Sequence, residues 1–314
     1  MKRCTGVGSL LALLALVLID ASALMAQQRA GQARNYPPQL SGAKVETYKT
    51  VGDVRLNLYL FTPQGHQASD RRPAIVFFFG GGWTNGSPSQ FEHQCRHLAS
   101  RGMVAITADY RVASRHKVQA VQCVADAKSA IRYVRQHAAH LGIDPQRIVA
   151  AGGSAGGHLA ACTALVPQFD EPQEDASISS VPNALALFNP AVVLAPVEGL
   201  PAPAAERIAA LKERMGVDPQ ALSPYHHVRS GAPPTIIFHG RADSTVPYAT
   251  VERFAQAMTD AGNRCTLVGY DGQGHGFFNY GRGGNEYYEK TLKALDAFLV
   301  ELGYLPPASP SSGS

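Results

Sequence analysis

Short apolar runs and amphipathic stretches alternate along most of the chain. Residues 73–79 form a nearly continuous apolar run that ends in three glycines, and unbroken apolarity is typical of a strand buried on both faces of a parallel sheet. Helices are predicted where apolar residues recur every three to four positions, as in 121–141. The alternation predicts an α/β fold, a single domain with a mainly parallel, doubly wound sheet. The predicted strands are 45–53, 54–61, 73–79, 103–109, 147–151, 184–188, 235–239 and 265–270, and the predicted helices are 89–100, 121–141, 155–165, 204–215, 248–261 and 286–302.

The alternation is interrupted between residues 189 and 233. This segment is rich in proline and contains one amphipathic helix, so we predict a small insertion above the sheet, before the penultimate strand, and no second domain. The domain is expected to span residues 45–304, preceded by a leader at 27–44. The last residues, 305–314, are of low complexity and are predicted to be disordered.

The first 26 residues have the organisation of a secretory signal peptide. Lys2 and Arg3 precede a ten-residue apolar core at 10–19, and small residues follow up to Ala26. A helix that spans a bilayer needs about 20 apolar residues, so cleavage is predicted, with an uncleaved anchor as the alternative. Cleavage after Ala23 or Ala26 is possible, and Ala26 is preferred. The mature protein is then expected to be secreted or periplasmic, without stable insertion in a membrane.

Export to an oxidising compartment allows disulfides to form. Four cysteines follow the signal peptide, and four cysteines allow three full pairings between which the sequence does not choose. Cys95 and Cys123 lie near the starts of two consecutive predicted helices and are the favoured disulfide pair. Cys162, on an alanine-rich helix, is expected to be a small buried apolar residue. The alternative, in which these three and Cys265 are all core residues, stays open.

Composition narrows the class of protein. The 314 residues are 45% hydrophobic and 17% charged, with a formal net charge of +4. A disordered chain would contain fewer apolar residues. The basic surplus is small and scattered, so we expect no nucleic-acid partner. A globular α/β or all-β protein, most simply an enzyme, remains.

One glycine-rich motif has the most specific chemistry. Residues 152–156 (GGSAG) lie directly after a predicted strand and directly before a predicted helix. Glycines on both sides of a serine in that context are typical of a nucleophile elbow, where the backbone makes a sharp turn. Ser154 is therefore predicted to be a nucleophile that projects from the turn, near a helix N-terminus that favours developing negative charge.

A serine nucleophile needs a base, and the base needs a carboxylate that orients it. His275 lies between the last strand and the last helix, and Asp243 follows the penultimate strand. Both are expected at the edge of the sheet where Ser154 lies and where open α/β sheets place their sites. The order Ser, Asp, His along the chain is the one expected for this elbow. Asp271 is a rival to Asp243, but it precedes the histidine too closely to face its far ring nitrogen easily.

Three consecutive glycines at 80–82 follow another predicted strand. Backbone amides that carry no side chain can approach a ligand closely. The amides of Gly81 or Gly82, together with that of Ala155, are therefore predicted to form an oxyanion hole. A phosphate-binding turn is the alternative, but no Lys-Ser or Lys-Thr follows the glycines.

Aromatic side chains next to these motifs, together with the insertion, are the candidates for the substrate rim. Trp83 follows the glycines and Phe277 lies two residues after the histidine, so both are predicted to bind substrate. Trp83 could stack on a sugar or an aromatic acyl group, with a place in the core as the alternative. The adjacent His226 and His227 point apart and do not make a metal site by themselves. The sequence predicts no metal and no cofactor.

These motifs together resemble those of the α/β-hydrolase fold, over nearly all of the chain after residue 26. The segments 79–83 (FGGGW), 153–158 (GSAGGH) and 109–111 (DYR), with Asp126, are similar to secreted carboxylesterases related to hormone-sensitive lipase and to bacterial acetyl-xylan and feruloyl esterases. The resemblance implies a serine carboxylic ester hydrolase that forms an acyl-enzyme and removes acetyl or feruloyl groups from plant polysaccharide. It also implies that Arg111 and Asp126 tie a helix to a strand, with solvated charges as the alternative.

Two positions depart from the hormone-sensitive lipase pattern. Phe79 stands where these relatives usually carry histidine, and Gly153 stands where they commonly carry aspartate. Both differences favour the carbohydrate-esterase group, so the expected substrate is a small-molecule or polysaccharide ester. The alternatives are a general short-chain carboxylesterase or lipase and an exported serine peptidase of the prolyl oligopeptidase type, which would carry a large N-terminal propeller. A catalytically inactive binding protein on the same scaffold is a further alternative, against which the intact triad argues.

Overall fold

The structure, a computed structural model, describes residues 36–201 and 205–307. The predicted signal peptide at 1–26, the leader up to residue 35 and residues 308–314 lie outside the described residues. Contacts within the chain divide it into two units, Met1–Gln39 and Leu40–Ser314. The fold described below is that of the second unit.

Eight strands and seven α-helices alternate along the described part of this unit. The strands are β1 (Lys44–Val51), β2 (Val54–Phe61), β3 (Arg72–Phe78), β4 (Val104–Ala108), β5 (Ile143–Gly153), β6 (Ala184–Phe188), β7 (Thr235–Gly240) and β8 (Cys265–Tyr270). The helices are α1 (Glu92–Ser100), α2 (Ala113–His116), α3 (Ala120–Gln136), α4 (Ala155–Leu165), α5 (Ala205–Met215), α6 (Tyr248–Asp260) and α7 (Glu286–Glu301). Short 3₁₀ turns lie at Pro88–Phe91, Pro219–Leu222, Pro224–His227 and Gly283–Asn285.

All eight strands belong to one sheet, in the order β1-β2-β4-β3-β5-β6-β7-β8. β1 pairs antiparallel with β2, and β2 with β4, while all other neighbours are parallel. The predicted α/β fold with a mainly parallel, doubly wound sheet is confirmed. Because β3, β5, β7 and β8 run in the same direction, the loops that follow them meet at one edge of the sheet. Among residues 36–201 and 205–307, none of the helices combines the length and apolar character that a membrane span requires.

The unbroken apolarity of β3 reflects burial on both faces of the sheet. Ala74, Val76 and Phe78 belong to one apolar layer and Ile75 and Phe77 to the other, and all of these side chains are fully buried. α3, α4 and α6 complete the first layer, and α1 and α7 complete the second. Removing both layers from water supplies the main driving force for folding.

The third helix is shorter, and the fifth strand longer, than the sequence pattern predicts. α3 ends at Gln136 because His137 leaves the helical conformation, with φ −99° and ψ 16°. β5 begins already at Ile143, which pairs with Arg72 before a break in the register. Residues 144–147 are polar or proline, so the hydrophobic pattern does not reveal this early pairing.

The segment between β6 and β7 contains α5 and two of the 3₁₀ turns. The predicted small insertion before the penultimate strand is therefore confirmed. Met215 and Leu222 are fully buried in the first apolar layer. These two side chains anchor the insertion to the domain.

Two residues of the segment predicted to be disordered are held by contacts with the domain. Leu305 is 4% exposed and packs in the second apolar layer, and Arg101 Nη2 donates a hydrogen bond to Pro306 O at 2.8 Å. The prediction of disorder from residue 305 onward is therefore wrong for these two residues. Leu305 is held because its apolar side chain follows α7 into the core.

The cysteines of the described residues are all free thiols, so the predicted disulfide between Cys95 and Cys123 is wrong. Cys95 packs in the layer with α1 and α7, whereas Cys123 packs in the layer with α3 on the other face. The sheet thus separates the two sulfur atoms. Burial raises the pKa of both thiols and keeps them protonated.

A buried ion cluster connects β1 to α3 and to the segment after β4. Asp126 accepts two hydrogen bonds from the Arg111 guanidinium, at 2.8 and 2.7 Å, and one from the Arg111 amide at 3.0 Å. Lys49 Nζ lies 2.9 Å from Asp126 Oδ1 and 2.7 Å from Glu171 Oε2. The Asp126 side chain is fully buried, so the stability of its charge depends on these partners.

Asp126→Asn would leave Lys49 and Arg111 without their shared carboxylate. Removing one partner of a buried ion pair typically costs about 3–5 kcal/mol, so we expect the free energy of unfolding in urea to fall by about 3 kcal/mol. Glu286→Gln, which removes the exposed partner of Lys290, is the control and should change this value by no more than about 0.5 kcal/mol. Equal losses in the two variants would contradict a structural role for the cluster.

Candidate active site

Ser154 lies at a sharp turn between β5 and α4. Its φ of 54° and ψ of −119° put a non-glycine residue in a strained conformation. Ser154 N donates a hydrogen bond to Phe188 O of β6 at 2.9 Å, and Ser154 O accepts one from His158 N at 3.0 Å. These two bonds hold the strained residue between the sheet and the first turn of the helix.

Glycines flank Ser154 because the surrounding backbones approach too closely for side chains. A β-carbon on Gly152 would lie 2.4 Å from Gly156 O, and one on Gly156 would lie 2.0 Å from Phe78 O. Both distances are far below any normal van der Waals contact, and the clashing atoms are backbone atoms that cannot move aside. The glycine pattern of the motif is therefore a steric requirement of the turn.

The structure brings Ser154, His275 and Asp243 together at one edge of the sheet. His275 Nε2 lies 2.9 Å from Ser154 Oγ, and His275 Nδ1 lies 2.7 Å from Asp243 Oδ2. The three residues follow β5, β8 and β7. The three side chains predicted as nucleophile, base and orienting carboxylate thus form one continuous line of contacts.

Asp243 is a buried carboxylate with both oxygens engaged. Oδ1 accepts hydrogen bonds from the amides of Thr245 and Val246, each at 2.9 Å, and Oδ2 faces His275 and, at 3.3 Å, His239 Nε2. Burial raises the pKa of Asp243, but the hydrogen bonds lower it by more, so its pKa lies well below the ordinary value. An ionised carboxylate can only accept hydrogen bonds, and His275 Nδ1 is therefore the donor to it.

His239, on β7, is a fully buried histidine beside this carboxylate. Its Nε2 lies 2.9 Å from Val246 O as well as 3.3 Å from Asp243 Oδ2. Both neighbours are acceptors, so Nε2 carries a proton. Its Nδ1 is buried without a hydrogen-bond partner among the described residues. Sequence reasoning missed this residue, although a histidine at the end of a strand and four residues before Asp243 is a visible sign.

The glycine loop after β3 lies against the serine. A β-carbon on Gly80 would lie 3.3 Å from Ser154 Cβ. The Gly80 amide donates to Gln90 Oε1 at 2.6 Å and is therefore engaged within the protein. Gly81 and Gly82 have φ values of 129° and 62°, which favour glycine. Within the described residues their amides donate to no other backbone group.

Trp83 is buried and does not form part of an exposed rim. Its side chain is 6% exposed, and its Nε1 donates to His158 Nδ1 at 3.1 Å, with the two rings edge to face. His158 Nε2 in turn donates to Leu222 O at 2.7 Å. The predicted rim role is therefore wrong for Trp83, because its indole N–H is engaged in fastening the glycine loop to α4 and the insertion.

Phe277 is also buried. It is 5% exposed and packs against Tyr270 and Tyr287, with ring centroids 5.0 and 6.0 Å apart. Gly276, with φ 74°, turns the chain after the histidine, and Phe277 enters the second apolar layer. The prediction that Phe277 lines an exposed rim is wrong for this reason.

The insertion brings an arginine to the glycine loop instead. Arg214 Nη1 lies 3.9 Å from the position that a β-carbon on Gly82 would take. The end of α5 that carries it is fixed by the buried Met215 and by a hydrogen bond of 2.7 Å from Gln119 Nε2 to Glu213 O. Arg214 is exposed. On an amphipathic helix it resembles any solvated charge, so the sequence gives no sign of its position.

A cavity of about 640 Å³ lies away from the triad, at the end of the sheet where β3 begins. Three arginines line it, but each is already paired with a carboxylate, and we assign it no role in the site. The pairs are Arg72–Asp70, Arg96–Glu92 and Arg101–Asp296. Within the described ranges no group of three or more His, Cys, Asp or Glu side chains is placed to hold a metal ion.

The fold and the serine elbow together define an α/β-hydrolase. The sequence matches the BD-FAE family over residues 57–258, which is more than half of the chain. The chain therefore belongs to the BD-FAE family.

Similar proteins carry esterase names. Esterase 2 of Thermogutta terrifontis, a thermophilic esterase, is 59% identical with a TM-score of 0.83, over 88% of this chain and 98% of that one. That protein is also known with propionate bound, with butyrate bound and phosphorylated by paraoxon.

Curated relatives are more distant. Esterase LipC of Mycobacterium tuberculosis is 30% identical over 65% of this chain and 53% of its own length. A probable isoprenylcysteine alpha-carbonyl methylesterase, ICMEL1 of Oryza sativa subsp. japonica, is 32% identical over 70% of this chain and 54% of its own. The chain thus spans about half the length of the curated relatives it matches.

His158 is expected to make stability depend on pH. Burial lowers its pKa from the ordinary 6.5 to about 4, because a buried ring loses the hydration of its charged form. Its contribution to stability is therefore complete above about pH 6.5 and is lost as the pH falls towards about 4. Lowering the pH from about 7.5 to 4.5 should reduce the free energy of unfolding of both proteins. The loss should be about 2–3 kcal/mol smaller in His158→Gln than in the wild type, because the variant has no buried ring to protonate.

The matched control for this measurement is His140→Gln. The His140 side chain is 65% exposed, so this variant should follow the wild-type pH profile. Identical pH profiles for the wild type and His158→Gln would show that the buried ring is not the titrating group.

Proposed function

We propose that the protein is a serine carboxylic ester hydrolase in which Ser154, His275 and Asp243 are the catalytic triad. The observation that carries this proposal is the line of contacts from Ser154 Oγ to His275 Nε2 at 2.9 Å and from His275 Nδ1 to Asp243 Oδ2 at 2.7 Å. Serine hydrolases activate their nucleophile with this constellation at an elbow of this kind. The esterase names of the relatives support the same reaction class.

The hydrogen-bond pattern determines the path of the proton. Because His275 Nδ1 donates to the ionised Asp243, Nε2 of the neutral ring has a free lone pair and accepts the Ser154 hydroxyl proton as Oγ attacks the ester carbonyl. Asp243 stabilises the imidazolium that forms. His275 then donates the proton to the leaving alcohol, and an acyl-enzyme remains on Ser154. Water, deprotonated by His275, then attacks the acyl-enzyme. The acid is released, and His275 returns the proton to Ser154 Oγ.

The amides of Gly81, Gly82 and Ala155 are proposed to bind the oxyanion of the tetrahedral intermediate. The Gly80 amide is engaged with Gln90, which leaves the next two amides of the loop. Ala155 opens α4, and the first amides of a helix have no partner within the helix and lie at its positive end. Donors held in place in this way are typically worth a factor of about 10²–10³ each in kcat.

Short-chain acyl esters are the proposed substrates. Esterase 2 of Thermogutta terrifontis, 59% identical to this chain, is known with propionate and butyrate bound, which supports a small acyl pocket here. Trp83 and Phe277 are both buried, so neither side chain is free to stack on a bulky aromatic acyl group. A small aliphatic acyl group fits these observations best.

An acylated carbohydrate is the second candidate. Phe79 and Gly153 distinguish the chain from the pattern of hormone-sensitive lipase relatives, and this difference favours the carbohydrate-esterase group. Acetyl esters of plant polysaccharide have a carbohydrate as the alcohol and a small acyl group. Feruloyl esters require an aromatic acyl pocket and are the less favoured form.

Ser154→Ala is expected to lower kcat for p-nitrophenyl acetate by about 10⁴-fold or more, because no other group can form the acyl-enzyme. Ser177→Ala, at an exposed serine, is the matched control and should retain wild-type activity. Mass spectrometry after treatment with paraoxon should find a phosphoryl group on Ser154 of the wild type. Full activity of Ser154→Ala would refute the proposed nucleophile.

Acyl preference is measured with p-nitrophenyl acetate, propionate, butyrate and octanoate. In a small pocket each surplus methylene is unfavourable, so kcat/KM should fall by about tenfold or more from butyrate to octanoate. Acid release from acetylated and feruloylated xylans tests whether the enzyme accepts a carbohydrate as the alcohol of the ester. Acetate release supports the carbohydrate candidate, and faster release of ferulate than of acetate would contradict the small acyl pocket.

A further inference from the structure

Side-chain amides connect the glycine loop to the loop that carries His275. Gly80 N donates a hydrogen bond to Gln90 Oε1 at 2.6 Å. Gln90 Nε2 donates to Asn279 Oδ1 at 2.9 Å, and Asn279 Nδ2 donates to Gly276 O at 2.8 Å. Gly80 directly precedes the proposed oxyanion donors, and Gly276 directly follows His275. Three consecutive hydrogen bonds therefore join the two loops.

Both ends of this bridge fix the orientation of its side chains. Gly80 N–H can only donate, so Gln90 must turn its oxygen towards it and its NH₂ group towards Asn279. Gly276 O can only accept, so Asn279 must turn its NH₂ group towards it and its oxygen towards Gln90. Both requirements are met by the central hydrogen bond, in which the Gln90 NH₂ group donates to the Asn279 oxygen. Rotating either amide by half a turn would place like groups against each other at two contacts.

Gln90 is a rigid starting point for the bridge. It lies in the 3₁₀ turn Pro88–Phe91, where Thr107 Oγ1 of β4 donates to Pro88 O at 2.8 Å. The next residue, Phe91, is fully buried and stacks on Phe77 of β3 with ring centroids 4.7 Å apart. The backbone of Gln90 is thus fixed to the central strands, and its side chain sets the distance to both loops.

Other hydrogen bonds hold the histidine loop without reaching the glycine loop. Gly276 N donates to Asn189 Oδ1 at 3.0 Å, and Arg282 Nη1 donates to His275 O at 2.9 Å. These contacts fix the loop relative to the end of β6 and within itself. Among the hydrogen bonds of the described residues, those of Gln90 and Asn279 connect the histidine loop to the glycine loop.

We propose that Gln90 and Asn279 are positioning residues that keep the oxyanion donors and His275 in register with Ser154. The proposal rests on the proposed function. Attack on an ester needs the base and the anion donors in place at the same moment, and a displacement of about 1 Å in such a site costs about 10²-fold in rate. A bridge between the two loops makes their positions mutually dependent.

A double-mutant cycle tests the bridge with p-nitrophenyl acetate. Gln90→Ala and Asn279→Ala should each lower kcat by about ten- to hundredfold and change KM little, since the groups act on the transition state. The double variant should be no slower than the worse single variant, because either change already opens the same bridge. Losses that multiply in the double variant would show two independent effects and overturn the proposal.

Charged isosteres separate positioning from filling of space. Gln90→Glu retains the acceptor for Gly80 but turns a second oxygen towards Asn279 Oδ1, so it should be as slow as Gln90→Ala. Asn279→Asp retains the acceptor for Gln90 and loses the donor to Gly276, and it should be slowed as well. Gln256→Ala, at an exposed glutamine on α6, is the control for loss of a glutamine side chain. Wild-type kcat in both isosteres would overturn the proposal.

Phosphorylation by paraoxon distinguishes a failure of the bridge from a failure of the proposed function, and complete modification shows that a variant is folded. Each folded variant should be phosphorylated completely on Ser154, at a lower rate than the wild type. If either alanine variant does not fold, the cycle is carried out with Gln90→Glu and Asn279→Asp. A wild type that is not phosphorylated on Ser154 would refute the proposed function itself. A modified wild type with equal rates in every variant would refute only the bridge.

Discussion

The strained backbone at Ser154 determines how the strands and helices around the site must pack. A residue with φ 54° and ψ −119° is stable only where its surroundings fix it. Two features do so: the close approach of α4 to β3 and β5, which requires Gly152 and Gly156 to lack side chains, and the hydrogen bond to Phe188 O. Moving any of these strands would change the direction in which the serine hydroxyl leaves the turn. The parallel sheet is therefore part of the site as well as its support.

The other reactive groups reach Ser154 because their strands are parallel to β5. Asp243 and His275 follow β7 and β8, and each arrives with a polar environment of its own. Asp243 is buried, which alone would favour its neutral form, but four hydrogen-bonding contacts to its two oxygens favour the anion. The anion in turn fixes which nitrogen of His275 is protonated. Electrostatics, and not distance alone, thus sets the direction of the proposed proton transfer.

Features encoded in a few consecutive residues could be predicted from the sequence, and features that depend on distant residues could not. The elbow around Ser154 and the glycines at 80–82 are local, because their backbone conformation demands glycine where it occurs. The positions of Trp83 and Phe277 could not be predicted, because an aromatic residue beside a site has the same sequence pattern whether it faces solvent or the core. Cys95 and Cys123 lie on consecutive helices, but the sequence pattern does not say on which face of the sheet each helix packs.

Gln90 and Asn279 are the clearest case of a contact that the sequence could not predict, since they are separated by 189 positions in the chain and neither belongs to a motif.

Substrate specificity is also expected to depend on residues outside the motifs. Trp83 is engaged with His158, and Phe277 lies in the core, so the residues adjacent to the motifs are occupied by structural contacts. Arg214 of the insertion is an exposed side chain that lies beside the glycine loop. Among its described side chains α5 buries Met215, and the proposed triad lies elsewhere, so we expect its exposed face to tolerate change without disturbing the elbow. Differences in substrate between proteins with the proposed triad are therefore expected in the insertion, whereas the three residues of the triad all follow strands of the sheet.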